Sequence, residues 1–403
     1  MNFRRPKADR LVPFVSPSSG RGVKANLLQL IRLSGCLAGC LTGMAASAAP
    51  PIAGASYTNV IVASEPWSIH IAKLPRTGAF EIHSRHAGNR ALGLSTLSEQ
   101  AAADTESGQP VAAINGGFYR RDKTYAGAAR GLQIVDGEIL SAPNGAPCLW
   151  LDLNGEPHLE SVASQFQLTW PDGSRTPCGL NEDRAENAAV LYTPAIGTST
   201  RTTNGMEFVL EQNGSGRWLP LRCGRNLPAK VRSIQTSGNS TLTPETMVLS
   251  VGPKLSAQFQ TVKAGDVLQI STATTPSLSL ARNALSAGPV LLRAGKRQKI
   301  IASPDDAYES SSMLERHPRS AIAWNAEWFF LVVVDGRQRD VSDGMTLDEL
   351  SNFLAKLGCE DALNLDGGGS SALWFDGNVR NTPCDGYERA IANSLVVVKK
   401  MRK

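Results

Sequence analysis

The sequence lacks the motifs of several large enzyme classes. Its 403 residues contain no GxxxxGK[ST] phosphate loop, no GxSxG nucleophile elbow and no HExxH zinc motif. No CxxC pair or Cys/His spacing indicates a zinc site, and the five histidines are scattered along the chain. These absences argue against a P-loop nucleotidase, an α/β-hydrolase and a zinc protease.

Outside its first segment the chain has no excess of either charge. The formal net charge is +5, but residues 1–48 contain seven Lys or Arg and one acidic residue. The remainder contains 34 basic and 35 acidic side chains, a net charge of −1. Because the basic excess belongs to the N-terminal segment, it gives no support to nucleic-acid binding.

The N-terminal segment predicts an export signal over residues 1–48. A basic region is followed by a short apolar stretch, and Ala46-Ser47-Ala48 supplies a small-residue cleavage site. An uncleaved anchor is one alternative, although the stretch is short for a membrane span. Lipid attachment is another, because Leu37-Ala38-Gly39-Cys40 resembles a lipoprotein box. All three predict an exported protein, either periplasmic, secreted or lipid-anchored, without a stable span after processing.

Five cysteines follow this segment: Cys148, Cys178, Cys223, Cys359 and Cys384. An exported chain meets an oxidising compartment, so we expect one or two disulfides and one remaining thiol. The reasonable pair is Cys359 with Cys384.

The rest of the chain predicts a strand-rich α+β domain over residues 50–403. Short β-type runs are punctuated by glycine, and Asp136-Gly137 indicates a hairpin. Capping boxes at Thr96–Glu99 and Thr346–Glu349 predict the starts of two helices. Neither a second hydrophobic core nor a long linker is evident, so we expect one domain.

The final third predicts a βαβ-type unit. An apolar strand over residues 328–334 precedes Asp335, a leucine-striped helix follows, and a second strand over residues 361–365 precedes Asp366. If these strands are parallel neighbours, Asp335 and Asp366 lie at the same sheet edge, where ligands of open α/β sheets bind.

Asp366 opens the most informative segment of the chain, Asp366-Gly367-Gly368-Gly369-Ser370-Ser371. Three consecutive glycines favour unusual backbone angles or a close approach to a ligand. Arginines and carboxylates elsewhere suit an anionic ligand held by guanidinium groups and backbone N–H groups. These further candidates are Asn115, Arg130, Arg319, Asp335, Arg337, Glu388 and Arg389.

Taken in order, the motifs resemble those of the phosphodiester glycosidase domain family. They are Ala113-Ile114-Asn115-Gly116-Gly117-Phe118, Gly131-Leu132-Gln133-Ile134, Ala287-Gly288-Pro289-Val290-Leu291, His317-Pro318-Arg319-Ser320-Ala321-Ile322, Val334-Asp335-Gly336-Arg337-Gln338, Asn364 to Ser371 and Glu388 to Asn393. The resemblance covers roughly residues 57–398 and is strongest over 105–398.

This resemblance implies hydrolysis of a sugar-1-phosphodiester, with a sugar of the N-acetylglucosamine type, in a glycan or exopolysaccharide. It suggests Asp366 as the indispensable carboxylate, with Glu388 and Asp335 as further catalytic candidates. Arg319 and Arg337 would clamp the phosphate, and Asn115 would orient the sugar. The remaining substrate-binding candidates are Gly116, Arg130, Gly367, Gly368, Gly369, Ser370, Ser371 and Arg389.

Two other functions stay open. A metal-dependent phosphodiesterase would gather Asp335, Asp340, Asp366 and Glu388 around Mg²⁺ or Ca²⁺ and cleave the P–O bond. A non-catalytic module for anionic glycans would keep the arginines and glycines but tolerate loss of Asp366. No cofactor is predicted, the expected partner is a sugar-phosphate or glycan substrate, and a homodimer is left open.

Overall fold

A computed structural model describes residues 54–400 except 63, 77, 104–107, 123 and 301–309. The predicted export signal lies outside the described residues. All of the described residues fall within one compact unit. Among them, no helix is long and apolar enough to cross a membrane.

The described residues form 24 strands and three α-helices. The first twelve strands are β1 (Ser56–Val62), β2 (Trp67–Pro75), β3 (Phe80–His86), β4 (Gln109–Asn115), β5 (Gln133–Val135), β6 (Glu138–Ser141), β7 (Asn144–Leu151), β8 (Pro157–Thr169), β9 (Arg175–Pro177), β10 (Gly179–Leu180), β11 (Ala189–Tyr192) and β12 (Met206–Gln212). The others are β13 (Asn226–Gln235), β14 (Met247–Val251), β15 (Val267–Thr275), β16 (Asn283–Ser286), β17 (Val290–Arg293), β18 (Lys296–Arg297), β19 (Arg319–Trp324), β20 (Trp328–Val334), β21 (Asp361–Asn364), β22 (Leu373–Phe375), β23 (Asn378–Val379) and β24 (Asn393–Lys399). The helices are α1 (Leu97–Ala103), α2 (Ser310–Leu314) and α3 (Leu347–Lys356).

The strands form three sheets. The first has the order β1-β2-β20-β19-β21-β17-β18, and the third has the order β23-β22-β4-β24-β3. The second follows β10-β11-β14-β12-β13-β15-β8-β7-β16-β5-β6, with β9 paired to β8. Large sheets with few helices confirm the predicted α+β class.

The apolar strand β20 explains the layering around the first sheet. Phe329, Leu331 and Val333 belong to the core cluster that also contains strands β4, β22 and β24 of the third sheet. Their neighbours Phe330 and Val332 belong to the cluster beneath α3. Because strand side chains alternate between faces, a continuous apolar run buries both faces of its sheet.

Strands β20 and β21 both pair antiparallel with β19, which lies between them. The two strands therefore run parallel and end at the same sheet edge. The expected βαβ-type connection through α3 is present, but β19 is inserted between its strands. Arg319, the first residue of β19, consequently starts at the edge where β20 and β21 end.

Local signals in the sequence correctly predict the ends of α3. The Thr346 hydroxyl accepts the N–H of Glu349, whose carboxylate accepts the N–H of Thr346, a complete capping box. Gly358 follows the helix with φ +83°, a conformation that favours glycine. The predicted hairpin also forms, with Asp136 and Gly137 both at positive φ.

The expected disulfides are absent, because all five cysteines of the described chain are unpaired. Cys359 is buried in the apolar cluster beneath α3. Cys384 lies half-buried with its Sγ 3.7 Å from Oδ1 of Asp385. The predicted pairing of Cys359 with Cys384 is therefore wrong: flanking the glycine loop in sequence does not bring the two thiols together.

Candidate functional site

The candidate site is centred on Asp366, just after β21. The N–H of Asp366 donates to the carbonyl oxygen of Gly116 at 2.9 Å. Its half-buried carboxylate accepts the N–H of Gly367 at 3.0 Å. Gly368 has φ +60° and starts a single 3₁₀ turn that ends at Ser370. The backbone thus folds tightly around one carboxylate.

Asn115, the last residue of β4, holds this loop through hydrogen bonds of its side chain. Its Nδ2 donates to the carbonyl oxygen of Asp366 at 2.6 Å. Its Oδ1 accepts the Ser320 hydroxyl at 2.6 Å and the N–H of Ala372 at 3.1 Å. The side chain is buried, and both of its polar atoms bond to other parts of the protein. Asn115 therefore holds the loop in place, which differs from the direct contact with a sugar that was expected.

Burial raises the pKa of the Asp366 carboxyl above its ordinary value. The Ser370 hydroxyl, the Arg121 charge, the Gly367 N–H and the Arg389 charge act in the opposite direction without cancelling the effect. A carboxyl whose pKa is shifted by burial next to guanidinium groups is a typical feature of catalytic sites.

Two guanidinium groups lie against the glycines. A Cβ atom on Gly368 would lie 3.1 Å from Nη1 of Arg337. A Cβ atom on Gly369 would overlap Arg389, which forms an ion pair of 2.6 Å with Asp385. The missing side chains therefore allow both arginines to approach the loop backbone.

Of the two arginines, Arg337 is the exposed one. Within the described ranges no carboxylate lies at ion-pair distance from it. Its Nε donates to Nδ1 of His317 at 3.4 Å. Burial, followed by the charges of Arg337 and Arg319, lowers the pKa of His317. His317 was not among the predicted site residues, although it directly precedes Pro318-Arg319 in one of the motifs.

Arg319 is buried and its guanidinium is directed toward the backbone. Its Nε donates to the carbonyl oxygen of Met345 at 2.7 Å. Its Nη2 donates to the carbonyl oxygens of Ser312 and Glu315 at 2.6 and 2.7 Å. This arrangement connects the end of α2 to the start of α3 and differs from the open phosphate clamp expected with Arg337.

Asp335 is buried in a hydrogen-bond network on the same sheet edge. Its Oδ2 lies 2.7 Å from Nε2 of His70, and its Oδ1 accepts the N–H of Thr382 at 2.9 Å. Nδ2 of Asn381 donates to the same Oδ1 at 3.3 Å and to the carbonyl oxygen of Ser371 at 3.1 Å. Within the described residues, Asp335 is therefore connected to the glycine loop through Asn381.

Glu388 is directed toward α1, where its Oε1 accepts the N–H of Ser98 at 2.6 Å. Carboxylates stabilise helix N-termini in this way. Within the described residues, no three His, Cys, Asp or Glu side chains are grouped to hold a metal ion. The carboxylates Asp335, Asp340, Asp366 and Glu388 thus do not form one group of metal ligands.

Arg130 lines a cavity of about 1010 Å³ next to the loop. Phe118, Gly288 and Pro289 also line it. The N–H of Arg130 donates to the carbonyl oxygen of Phe118 at 2.8 Å, and the N–H of Gly288 donates to that of Asn364 at 2.9 Å. The cavity wall is therefore attached to Asn364, two residues before Asp366, and Phe118 lies two residues after Gly116, whose carbonyl oxygen accepts the N–H of Asp366.

Several buried polar atoms near Asp366 have no hydrogen-bond partner within the described part of the chain. They are Oδ1 of Asn364, Oγ of Ser371, and both Oδ1 and Nδ2 of Asn393. Asn393 adjoins Gly116, whose N–H donates to its carbonyl oxygen at 2.9 Å. Unpaired buried polar groups are rare and mark positions where a ligand or water completes the bonding.

Comparison with solved structures shows the same fold in other proteins. A hypothetical protein from Synechocystis matches with a TM-score of 0.69 and 20% identity over 86% of this chain and 62% of that chain. A Burkholderia pseudomallei protein described as exported matches with a TM-score of 0.64 and 21% identity over 82% and 74% of the two chains. The present chain thus spans about three fifths of the Synechocystis chain.

A curated relative and a family model add sequence evidence. The SPbeta prophage-derived uncharacterized protein YomE of Bacillus subtilis is 36% identical over 83 residues, which are 20% of this chain and 13% of YomE. Residues 227–398 match the family model described as phosphodiester glycosidase. This range contains the glycine loop, Arg319, Arg337 and Arg389. Residues 227–398 thus match the phosphodiester glycosidase domain that the order of the motifs predicts.

Proposed function

We propose that the protein is an exported hydrolase that removes an N-acetylglucosamine-like sugar from a sugar-1-phosphodiester in a glycan or exopolysaccharide. The observation that carries this proposal is the geometry of the glycine loop. One carboxylate of raised pKa, Asp366, is acted on by the charges of Arg121 and Arg389, and the guanidinium of Arg337 lies against Gly368 of the same loop. The match of residues 227–398 to the phosphodiester glycosidase family model supports the reaction class.

The reaction breaks the bond between the anomeric carbon and a phosphate oxygen. Water adds to the sugar, and the aglycone leaves as a phosphate monoester. Because the second pKa of a phosphate monoester is about 6, this leaving group needs little protonation. A glycosidase normally uses two carboxyl groups, but here one carboxylate and a cationic phosphate site are sufficient.

In this scheme Asp366 acts at the anomeric carbon in its ionised form. Arg337 and Arg389 stabilise the charge on the departing phosphate through charge-assisted hydrogen bonds. The N–H groups of the loop glycines provide further donors to the phosphate oxygens. Glu388, whose carboxylate caps α1, has no direct role in this scheme.

Rigid support is the second requirement of such a site, because fixed charges stabilise a transition state without reorganising. Asn115 and Gly116 hold the backbone of Asp366 at its carbonyl oxygen and its N–H, respectively. Asp335 supports the far side of the loop through Asn381. These residues position Asp366.

Location outside the cytoplasm is part of the proposal and rests on the export signal predicted over residues 1–48. The Burkholderia pseudomallei neighbour that shares the fold is described as exported. An extracellular or periplasmic location would give the enzyme access to glycans and exopolysaccharides that carry sugar phosphates.

The test is hydrolysis of UDP-N-acetylglucosamine and of methyl and aryl sugar-1-phosphodiesters, with and without EDTA. Asp366→Asn should lower kcat by roughly a thousandfold or more, as removal of a catalytic group usually does. Asp376→Asn is the matched control, because Asp376 is an exposed turn residue. Release of free sugar that survives EDTA supports the proposal. Near-wild-type turnover by folded Asp366→Asn protein would overturn it.

A further inference from the structure

The cavity lined by Arg130 is the part of the site that the proposed chemistry leaves unexplained. It lies between the segment that follows β4 and the Gly288-Pro289 turn. Asn364, two residues before Asp366, bonds this turn twice: its carbonyl oxygen accepts from Gly288 at 2.9 Å and its Nδ2 donates to Gly288 at 2.7 Å. The cavity is thus built onto the strand that carries the proposed catalytic carboxylate.

The size of the cavity exceeds the need of a single sugar ring. Pockets for drug-sized ligands enclose roughly 300–1,000 Å³. At about 1010 Å³, this cavity stands at the upper end of that range. It has room for an aglycone of more than one ring.

The two arginines in the cavity wall differ in their pairing. Arg120 lies 2.7 Å from Asp122 and 3.6 Å from Asp183. The exposed Arg130 has no carboxylate at ion-pair distance within the described ranges. Arg130 therefore suits an anionic group, and the carboxylates of Asp122 and Glu182 in the same wall suit sugar hydroxyls as hydrogen-bond donors.

Apolar surfaces form another part of the cavity wall. Phe118 and Pro289 line the same cavity as Arg130. Apolar walls with a few polar groups are typical of ligand pockets, where the polar groups fix the orientation of the ligand.

We infer that this cavity is the aglycone subsite and that the aglycone is a carbohydrate bearing an acidic group, carboxylate or phosphate, which Arg130 binds. This inference rests on the proposed function, because it names the part of the same substrate that leaves with the phosphate. Arg130 then determines specificity, while Arg337 and Arg389 contact the phosphate at the scissile bond.

The test uses two sugar-1-phosphodiesters that share one uronic-acid aglycone, one as the free acid and the other as its methyl ester. The wild type should show a kcat/KM for the acid roughly tenfold or more above that for the ester, the effect of one hydrogen bond to a charged group. Arg130→Gln should abolish this preference, whereas Arg232→Gln, at an exposed position on β13, should keep it.

A binding measurement separates the two hypotheses. Calorimetry on Asp366→Asn protein should show tighter binding of the acid than of the ester, with the difference lost on adding Arg130→Gln. If the wild type hydrolyses neither these compounds nor UDP-N-acetylglucosamine and the methyl and aryl phosphodiesters, the proposed function fails, and calorimetry alone decides the subsite. Hydrolysis of those other phosphodiesters but of neither uronic-acid compound overturns the inference. Equal kcat/KM for acid and ester in an active wild type, or a preference that survives Arg130→Gln, overturns the inference and leaves the proposed function standing. In calorimetry, equal affinity for acid and ester overturns it as well. A parallel pair with a phosphate in place of the carboxylate identifies the acidic group.

Discussion

The side chain of Asn115 donates to the carbonyl oxygen of Asp366 at 2.6 Å and, through its other polar atom, accepts the N–H of Ala372 at 3.1 Å. One amide thus joins both ends of the loop that carries the proposed catalytic carboxylate. The two residues are 251 positions apart in the chain. Strand β4 of the third sheet therefore fixes a loop that follows a strand of the first.

Replacing Asn115 by Asp should loosen this loop. The carboxylate cannot donate to the carbonyl oxygen of Asp366, which is left unpaired at a cost of roughly 1–3 kcal/mol. We expect a lower Tm and a kcat reduced more than tenfold with a small change in KM. Steady-state kinetics and thermal denaturation measure both effects. Asn378→Asp, at an exposed hairpin position, is the control and should change neither. Unchanged kcat in Asn115→Asp would contradict the positioning role.

Replacing Gly369 by Ala should impair activity more than stability. Gly369 does not have positive φ, so the methyl group adds no backbone strain but displaces the Arg389–Asp385 pair. We expect kcat/KM to fall at least tenfold while the free energy of unfolding changes little. Gly377→Ala should lower the free energy of unfolding and leave kcat/KM nearly unchanged. Gly377 has φ +86°, which strains an alanine, and an added methyl group would meet no neighbouring atom. Comparable kinetic losses in the two variants would count against Arg389 as a phosphate contact.

The raised pKa of Asp366 predicts the acid side of the pH–rate profile. If Asp366 acts ionised, kcat/KM should fall as the pH drops through a pKa above the ordinary value of 3.8 for this carboxyl. The residual activity of Asp366→Asn should lack this limb. A profile that stays flat through the acid range in the wild type would contradict the assignment.

The same pKa predicts how Asp366 affects stability. When folding raises the pKa of a carboxyl, its protonated form is favoured in the folded state. The contribution of this group to stability is therefore fully present below the pKa that it has in the unfolded chain, and is lost as pH rises through its pKa in the folded protein. At neutral pH the ionised Asp366 therefore destabilises the fold, and Asp366→Asn should be at least as stable as the wild type. Denaturant unfolding at pH 7 measures this. A clear loss of stability in Asp366→Asn would show that the carboxylate is structurally required.

Replacing His70, which contacts the buried Asp335, should lower the stability of the fold. Removing the imidazole by His70→Ala leaves Oδ2 of the buried Asp335 without its hydrogen-bond partner at 2.7 Å, which typically costs about 1–3 kcal/mol. Denaturant unfolding should show this loss. His158→Ala, at a partly exposed histidine, should cost much less. Equal stability of the two variants would refute the structural role assigned to the pair.

Local features of the fold could be predicted from the sequence because their causes are local. The capping box at Thr346, the hairpin at Asp136-Gly137 and the strand before Asp335 all depend on neighbouring residues. The convergence of Asp335 and Asp366 on one sheet edge also followed from strand order. The insertion of β19 between their strands did not, because long-range strand pairing leaves no periodic signal in either segment.

In the site, too, some features could be predicted from the sequence and others depended on long-range contacts. The glycine loop and Arg337 were identified from residue type and motif, and the structure places them together. The contacts of Arg319 and Glu388 could not be predicted, since each depends on a backbone group brought near by folding. Residue type indicates what a side chain can bind, whereas only the fold decides which partner it meets.

Hydrolysis in ¹⁸O-labelled water shows which bond of the substrate breaks. The substrate is the sugar-1-phosphodiester that the wild type hydrolyses fastest, and the released phosphate monoester is examined by mass spectrometry and ³¹P NMR. We expect cleavage at the anomeric carbon, which leaves all phosphate oxygens unlabelled. Incorporation of ¹⁸O into the phosphate would show P–O cleavage and contradict the glycosidase mechanism.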